Sequence, residues 1–510
     1  MSEGVSSAAA GASGSGSVPG HVSPRLSARA YHVRVRGFGF RASAVLLGIG
    51  PCLRVCHLHV ACPGSQPIPM KLLLTGDVHL GRRSSALSGV DGAVDGSAAG
   101  AWSRIVDLAI AEDVAAILVS GDLVDSQNRF FEATAPLESG IARLTRAGIE
   151  VIAVAGNHDH NVTPALFRSF ARQQLSVSVL GTRGGWETRE IRRGEEVVRI
   201  VGWSFPSEQC EFDPTADFPI DQVSAGGIPT IGLVHGDLDV ADSKYARLSS
   251  ARLESFGVQG WLLGHIHVPS LRSSAGCPWI LYPGSPQALD PGERGSHGAW
   301  LLEVVAGVCH APRLVSVSTV QYAATGISLA GAASEDDVRP EIQSATQRTV
   351  EQLAPGESVG VVVMDLDLVG ESPFVSAVAQ AADELLEATI LAPGVEVKVR
   401  SATNQVAPPL ALDDLAGGRD IRAALARAII GIERGDDSAG RESVELLREV
   451  MDAVRSRPLQ GMVMDGDRQV KLPMADEEVR RRAATAARLL LAAMVRGNDS
   501  GASDSTGGLP

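Results

Sequence analysis

The chain has 510 residues, enough for two or three domains of roughly 100–200 residues each, and 45% of its residues are hydrophobic. The formal net charge of −14 argues against a protein that coats nucleic acid through its overall charge. A DNA-handling enzyme with this balance must gather basic groups locally, take them from a partner or meet phosphates through metal ions.

The spacing of the cysteines and the length of the apolar runs exclude further classes of protein. The six cysteines form no C-x-x-C pair, so we expect reduced thiols in a cytoplasmic protein rather than a disulfide framework or a zinc site. Since no run of roughly 18 or more apolar residues occurs, we also expect no membrane span.

Residues 1–69 differ in composition from the rest of the chain. They hold six arginines, no lysine and one acidic residue, Glu3, so they carry +5 while residues 70–510 carry −19. A Gly/Ser/Ala tract opens the segment, and residues 42–49 form only a weak signal-like apolar core. Because Met70 stands directly before the first predicted strand, we predict that 1–69 is a disordered N-terminal extension or the product of a misassigned start site.

Five short apolar runs in the next 200 or so residues are each predicted to be a buried strand. Four of the runs end in glycine and the fourth in chain order ends in Val234, and polar side chains follow each run at once. The runs are 72–76, followed by Asp77 and His79; 117–121, followed by Asp122 and Asp125; 151–156, followed by Asn157, His158 and Asp159; 231–234, followed by His235; and 261–264, followed by His265 and His267.

A helix is predicted between the first two runs, where Trp102, Ile105, Val106 and Ala109 share one face. Strand, helix and strand with unbroken apolar strands are typical of α/β layers. In such sheets ligands gather beyond the carboxyl ends of the strands, so the five polar clusters are expected to meet there.

These clusters hold the ligand types that divalent cations take. Carboxylate and amide oxygens suit hard cations, and neutral imidazole suits manganese, iron or zinc. Two such ions roughly 3.5–4 Å apart can clamp the attacking and leaving oxygens of a phosphoryl group. Three aspartate or asparagine side chains and four histidines are enough for two cation sites.

Asp-x-His, Gly-Asp, Gly-Asn-His-Asp, His-Gly and Gly-His-x-His, in this order, resemble the calcineurin-like metallophosphoesterases. The resemblance implies a four-layer α/β/β/α sandwich and two divalent cations, with Asp122 bridging them. The first cation would be held by Asp77, His79, Asp122 and His267, and the second by Asp122, Asn157, His235 and His265.

The resemblance also implies catalytic roles. His158 would lie over the phosphate as general acid or transition-state stabiliser during in-line attack, and Asp159 would orient its ring. Asp125 would lie near the substrate.

Within this superfamily, the chain resembles DNA-repair exonucleases of the SbcD type in the stretches 242–246, 282–287 and 292–295. This resemblance covers about 70–305. It implies a DNA exonuclease/endonuclease subunit that uses manganese and works on DNA with an SMC-like coiled-coil ATPase of the SbcC type, and it allows a homodimer. A phosphodiesterase acting on small or cyclic nucleotides shares the same metal motifs and stays open as the alternative. An inactive scaffold is disfavoured because every ligand position is filled.

We predict a catalytic domain over 70–315 and, by its position and element order, a small α/β capping domain over 316–405. Its predicted elements are helices near 338–353 and 374–386 and strands at 359–368 and 395–400. Residues 406–496 are predicted to be helical, either docking on the ATPase or packing on the chain's own body, and 497–510 to be a disordered tail.

Overall fold

The computed structural model describes residues 69–85, 94–125, 130–434, 463–465, 468–470, 484–492 and 494–495. The predicted N-terminal extension (apart from Pro69) and the predicted tail lie outside these residues. Among the described helices, none combines the length and apolarity needed to cross a membrane.

The first half of the described chain alternates strands and helices. In chain order the elements are β1 (Met70–Thr75), α1 (Ala98–Ala111), β2 (Ala116–Val119), α2 (Phe130–Arg146), β3 (Glu150–Ala153), α3 (Val162–Arg172), β4 (Val177–Val179), β5 (Glu187–Arg193), β6 (Glu196–Trp203), α4 (Ile220–Ser224), β7 (Thr230–His235), β8 (Asp237–Leu238), β9 (Arg247–Leu248), α5 (Ser250–Ser255), β10 (Gly260–Gly264), β11 (Ser270–Arg272) and β12 (Trp279–Tyr282).

The second half begins with the strands β13 (Gly298–Val305), β14 (Val308–Cys309) and β15 (Arg313–Ser316). It continues with β16 (Val320–Ser328), α6 (Glu335–Leu353), β17 (Val361–Val369), α7 (Val375–Leu385), β18 (Thr389–Ala392), β19 (Val395–Asn404), α8 (Leu412–Ala416), α9 (Ile421–Arg434), β20 (Val463–Asp465) and β21 (Arg468–Val470).

Two sheets pack face to face and form the centre of the part predicted to be the catalytic domain. One has the order β14-β13-β1-β2-β3-β4 with β15 beside β13, and the other has the order β11-β12-β10-β7-β6-β5. Apolar side chains such as Leu72, Leu118, Ile200 and Leu233 fill the space between them. Burying these side chains from both sheets away from water stabilises the sandwich.

Helices cover the outer face of each sheet. Trp102 and Ile105 of α1 pack with Ile117 of β2, and α1 begins at the N-cap Ser97, whose side chain accepts a hydrogen bond of 3.0 Å from the amide of Gly100. On the other sheet, Leu253 of α5 packs against Trp261 of β10. The predicted four-layer α/β/β/α sandwich is therefore confirmed.

A smaller sheet with the order β16-β17-β19-β18 follows the sandwich and carries α6 and α7. It contains both helices and both strands predicted for the capping region, with bounds shifted by a few residues. The strands β16 and β18 were not predicted. β16 mixes small and polar residues, and β18 has only four residues, so neither shows a clear alternation.

The C-terminal part contains α8 and α9, which pack with a helical segment at 484–492 through Leu412, Ile429 and Leu491. One feature departs from the helical prediction for 406–496, because β20 and β21 pair with each other as antiparallel strands. The intervening residues predicted as helical at 435–462 lie outside the described part of the chain.

Candidate metal centre

The ends of five strands meet at one edge of the sandwich. The parallel strands β1, β2 and β3 place Asp77, Asp122 and Asn157 beyond their carboxyl ends. The parallel strands β7 and β10 of the facing sheet place histidines there in the same way. The seven predicted metal ligands are Asp77, His79, Asp122, Asn157, His235, His265 and His267, and none exposes more than 4% of its surface. Ligand positions far apart in the chain therefore form one buried cluster.

The loops that carry these ligands have an unusual backbone conformation. Asp77, His79 and Asp122 have φ angles of 47°, 48° and 49°, and His265 has a φ of 101°. Side chains other than glycine rarely adopt this region, and such residues concentrate at functional sites. Hydrogen bonds between the loops, for example from the His79 amide to the Asp122 carbonyl at 2.9 Å, hold the conformation in place.

Glycines precede the ligands because the loops pass very close to one another. A Cβ atom on Gly264 would lie 2.0 Å from the carbonyl oxygen of Ser120 and 2.5 Å from Nδ1 of His235. Gly121 has a φ of +101°, and a Cβ there would lie 2.6 Å from the same imidazole nitrogen. No side chain fits at either position without displacing His235.

Asp77, His79 and His267 form the first group of ligands. Their ligand atoms lie within 4.8 Å of one another, and the Nε2 atoms of His79 and His267 are 3.0 Å apart. Oδ1 of Asp77 accepts a hydrogen bond from the His265 amide at 2.9 Å. Its Oδ2 is buried and has no hydrogen-bond partner within the described residues. A buried carboxylate oxygen without a donor, facing two imidazole nitrogens, is an arrangement that a divalent cation satisfies.

Asn157, His235 and His265 surround a second point. Oδ1 of Asn157 lies 2.9 Å from Nε2 of His235 and 3.3 Å from Nδ1 of His265. The other ring nitrogen of His235 lies 2.9 Å from the carbonyl oxygen of Ser120 and donates its proton to it, which leaves Nε2 free of hydrogen for a cation.

Asp122 lies between the two groups. Its Oδ2 is 3.4 Å from Nε2 of His235 and 3.9 Å from Nε2 of His79. This is the placement that a carboxylate shared by two cations requires, and the donor set as a whole fits two divalent cations of the manganese, iron or zinc type.

Burial sets the protonation of the centre when no cation is bound. It raises the pKa of Asp77 to about 6 and that of Asp122 to about 7, because an isolated charge is poorly solvated there. Burial also lowers the pKa of His79 and of His235, so both imidazoles are neutral at pH 7 and able to bind a cation. Cation binding therefore displaces protons from the carboxylates.

His158 stands at the less buried side of the centre. Its amide donates a 2.9 Å hydrogen bond to Oδ1 of Asp122, and its ring packs edge-on against His79 with centroids 4.8 Å apart. Nδ1 of His158 lies 4.0 Å from Oδ1 of Asp125. The structure therefore brings His158 and Asp125 next to the first ligand group.

Asp159 has a different place from the one expected. Its carboxylate accepts hydrogen bonds from the Gly156 amide at 2.8 Å, the Leu123 amide at 2.9 Å and the Thr163 hydroxyl at 2.6 Å. The side chain points back under the loop because these donors converge there. Asp159 thus ties the loops of β2 and β3 together, whereas the carboxylate of Asp125 lies beside the ring of His158.

Sequence reasoning missed two buried carboxylates that contact the ligand histidines. Oε1 of Glu293 lies 2.8 Å from Nδ1 of His267, and Oδ1 of Asp237 lies 3.5 Å from Nε2 of His265. Burial lowers the pKa of His267, but the hydrogen bond and charge of Glu293 outweigh it and raise that pKa to about 9. The signals were the stretch 292–295, which had been singled out for its resemblance to the SbcD type, and the position of Asp237 directly after the His-Gly motif.

Comparison with known proteins agrees with this geometry. The sequence profile of the calcineurin-like phosphoesterase family matches residues 70–269. The uncharacterized metallophosphoesterase YhaO of Bacillus subtilis is 30% identical over 209 residues, which are 40% of this chain and 49% of that protein. The DNA double-strand break repair protein Mre11 of Aeropyrum pernix is 27% identical over 238 residues, 43% of this chain and 54% of that protein.

The chain thus spans about half the length of these curated relatives. Among solved structures, the calcineurin-like phosphoesterase YfkN from Bacillus subtilis aligns with 56% of this chain and 99% of that one, at 14% identity and a TM-score of 0.32. The profile match and the ligand geometry coincide in the same strands and loops. Residues 70–269 therefore carry both the match to this family and the ligand geometry of the candidate metal centre.

Proposed function

We propose that this chain is the nuclease subunit of an SbcCD-like DNA-repair complex and hydrolyses phosphodiester bonds of DNA with two divalent cations. The observation that best supports hydrolytic activity is the convergence of seven buried ligand side chains from five strand ends. The similarity to Mre11 of Aeropyrum pernix, a DNA double-strand break repair protein, supports DNA as the substrate.

In this proposal Asp77, His79, Asp122 and His267 hold one cation, and Asp122, Asn157, His235 and His265 hold the other. Two bound cations neutralise the charge of the phosphoryl group and position its attacking and leaving oxygens. Manganese fits the mixed oxygen and imidazole ligands and is the cation we propose.

His158 acts on the substrate side of the centre. It is partly exposed, whereas the seven ligands are buried, so it is the imidazole that an incoming phosphodiester meets. We assign it the protonation or stabilisation of the leaving oxygen. A protonated ring would be paired with the carboxylate of Asp125, 4.0 Å from Nδ1.

The C-terminal helices are the proposed contact for an SMC-like coiled-coil ATPase. Ile421 on α9 and Leu490 in the segment 484–492 expose 70% and 56% of their surface. Such a partner would cover these two apolar side chains. The formal charge of −14 gives a further reason for a partner, because such a chain has little general attraction for DNA.

The test is hydrolysis of linear DNA by the full chain with Mn²⁺, with and without the ATPase, beside the His158→Ala variant. Degradation by the wild type that disappears in the variant supports the nuclease, since a contaminating nuclease would be present in both preparations. If cyclic or small nucleotides are hydrolysed while DNA stays intact even with the ATPase, the protein is a small-nucleotide phosphodiesterase instead.

A further inference from the structure

Glu293 is a fully buried carboxylate next to the candidate metal centre. It exposes none of its surface, and Oε1 lies 2.8 Å from Nδ1 of His267. Its Oε2 accepts hydrogen bonds from the Leu289 amide at 2.7 Å and from the Ser285 hydroxyl at 2.8 Å. A buried charge persists only where several donors satisfy it, so these three contacts fix the carboxylate in one position.

The contact determines which nitrogen of His267 carries a proton. A carboxylate is an acceptor only, so the hydrogen bond requires the proton of His267 on Nδ1. The opposite nitrogen, Nε2, faces His79, whose own Nε2 is 3.0 Å away, and its lone pair becomes available there once a bound cation displaces the second ring proton. That is the direction in which the candidate cation site lies.

The surrounding loop holds the same histidine from its backbone side. The amide of Ser285 donates a 2.9 Å hydrogen bond to the carbonyl oxygen of His267. A Cβ atom on Gly284 would lie 2.5 Å from that carbonyl oxygen, so the loop passes against it without room for a side chain. Residues 284–293 therefore contact His267 at both its backbone carbonyl and its imidazole ring.

From these contacts we propose that Glu293 is the positioning residue of the first cation site, which holds the ring of His267 with Nε2 directed at the cation. The proposal rests on the two-cation centre proposed above and assigns Glu293 no contact with the cation or the substrate. Carboxylates that orient a metal-binding histidine typically change cation affinity 10–100-fold when they are replaced.

Replacement of Glu293 by glutamine tests this assignment, because either orientation of the amide fails. With its oxygen toward His267, its NH₂ group faces the amide of Leu289, and two donors oppose each other. With its NH₂ group toward His267, it donates to Nδ1 and moves the ring proton to Nε2, which blocks cation binding.

The matched control is Glu196→Gln. Glu196 is also a buried carboxylate of the sandwich, and it accepts hydrogen bonds from the amides of Ala306 and Gly307 at 2.5 and 3.0 Å. Its hydrogen bonds lead to no ligand residue. Glu196→Gln therefore shows how far replacement of a buried glutamate disturbs the sandwich when no metal ligand is affected.

The experiment is calorimetric titration of the metal-free full-length chain with Mn²⁺, repeated with Co²⁺ to record its visible absorption. We expect two cations per wild-type chain, one of them about 10–100-fold weaker in Glu293→Gln with an altered Co²⁺ spectrum, and wild-type affinities in Glu196→Gln. Unchanged affinities and spectrum in a folded Glu293→Gln variant would overturn the proposal.

A second variant, Ser285→Ala, tests the role of Glu293 if Glu293→Gln does not fold. Ser285→Ala removes one donor to Oε2 but keeps the carboxylate, so we expect a several-fold loss at one cation only, and unchanged binding would count against the assignment. If the wild type binds no Mn²⁺, the proposed two-cation centre itself fails. If it binds two cations but leaves DNA intact, only the proposed substrate fails.

Discussion

Nε2 of His79 and Nε2 of His267 lie 3.0 Å apart although 188 residues separate the two histidines in the chain. One follows a strand of the first sheet and the other follows a strand of the second, so this contact exists only when the two sheets are stacked. The candidate metal centre is thus a product of the whole sandwich. The stability of the fold and the affinity for cations can therefore be measured separately from the rate of hydrolysis.

Removal of divalent cations is expected to lower the melting temperature, and the loss should be larger at pH 7.5 than at pH 5.5. Burial raises the pKa of Asp77 to about 6 and of Asp122 to about 7, above their values in the unfolded chain. Their protonated forms therefore stabilise the metal-free fold at low pH, and that contribution is lost as the pH rises through 6 and 7.

Cation binding strengthens over the same pH range because fewer protons compete for the carboxylates. Each tenfold gain in affinity adds about 1.4 kcal/mol at saturating cation. Differential scanning calorimetry with EDTA or with Mn²⁺ at the two pH values measures the effect. An equal stabilisation by Mn²⁺ at both pH values would contradict it.

His158→Ala is expected to reduce the rate of phosphodiester hydrolysis by roughly 10²–10⁴-fold, the range for loss of a general acid. Mn²⁺ affinity should stay within about threefold of the wild type, because the His158 side chain is not among the seven ligands. Steady-state kinetics and calorimetric titration give the two values. A variant that has lost a cation as well as activity would show that His158 is a ligand.

Asp159→Ala is expected to destabilise the metal-free fold by roughly 2–4 kcal/mol. The change leaves the buried amides of Leu123 and Gly156 without their acceptor, and each unsatisfied buried donor costs about 1–3 kcal/mol. Urea unfolding in EDTA measures the difference. A wild-type unfolding midpoint would show that the loops of β2 and β3 hold together without this carboxylate.

Asp125→Asn is the complementary change. Its carboxylate lies beside the ring of His158, so we expect the turnover number to fall about tenfold while the unfolding midpoint and cation affinity stay near wild type. Comparison of kcat, KM and the urea midpoint separates the two aspartates. If Asp125→Asn unfolds early and Asp159→Ala is stable but slow, the two assignments are reversed.

Gly264→Ala is expected to disrupt the centre, because its Cβ would overlap the Ser120 carbonyl and press on the ring of His235. Overpacking of this kind costs about 1–3 kcal/mol and should weaken the second cation site. The matched control is Gly185→Ala, where a Cβ meets nothing within 4 Å. Equal melting temperatures and equal Mn²⁺ affinities for the two variants would refute the close-packing argument.

The convergence of the ligand positions could be predicted from the sequence because the strand ends are encoded locally, whereas the four-layer sandwich was implied by the family resemblance. A strand such as 72–76 is recognisable from its unbroken apolar run, and Asp77 and His79 follow it directly. Parallel strands bring such ends together, so the convergence follows from the fold class.

Side-chain contacts between segments far apart in the chain could not be predicted from the sequence. Glu293 meets His267 only because the loop 284–293 folds back over the ring, and no periodicity marks that return. Asp159 follows His158 in the chain, but the surrounding backbone donors determine where its side chain points. The strands β20 and β21 lack a strand-like pattern of their own and were read as helix.

The central claim is that two cations bound at this centre hydrolyse phosphodiesters. Its most direct test is stepwise titration of the metal-free full-length chain with Mn²⁺ while hydrolysis of bis-p-nitrophenyl phosphate is followed in the same samples. We predict negligible hydrolysis in EDTA and full activity only when two equivalents are bound, and none at any Mn²⁺ concentration for Asp122→Asn. Hydrolysis that persists in EDTA, or two bound cations with no hydrolysis, would contradict the account.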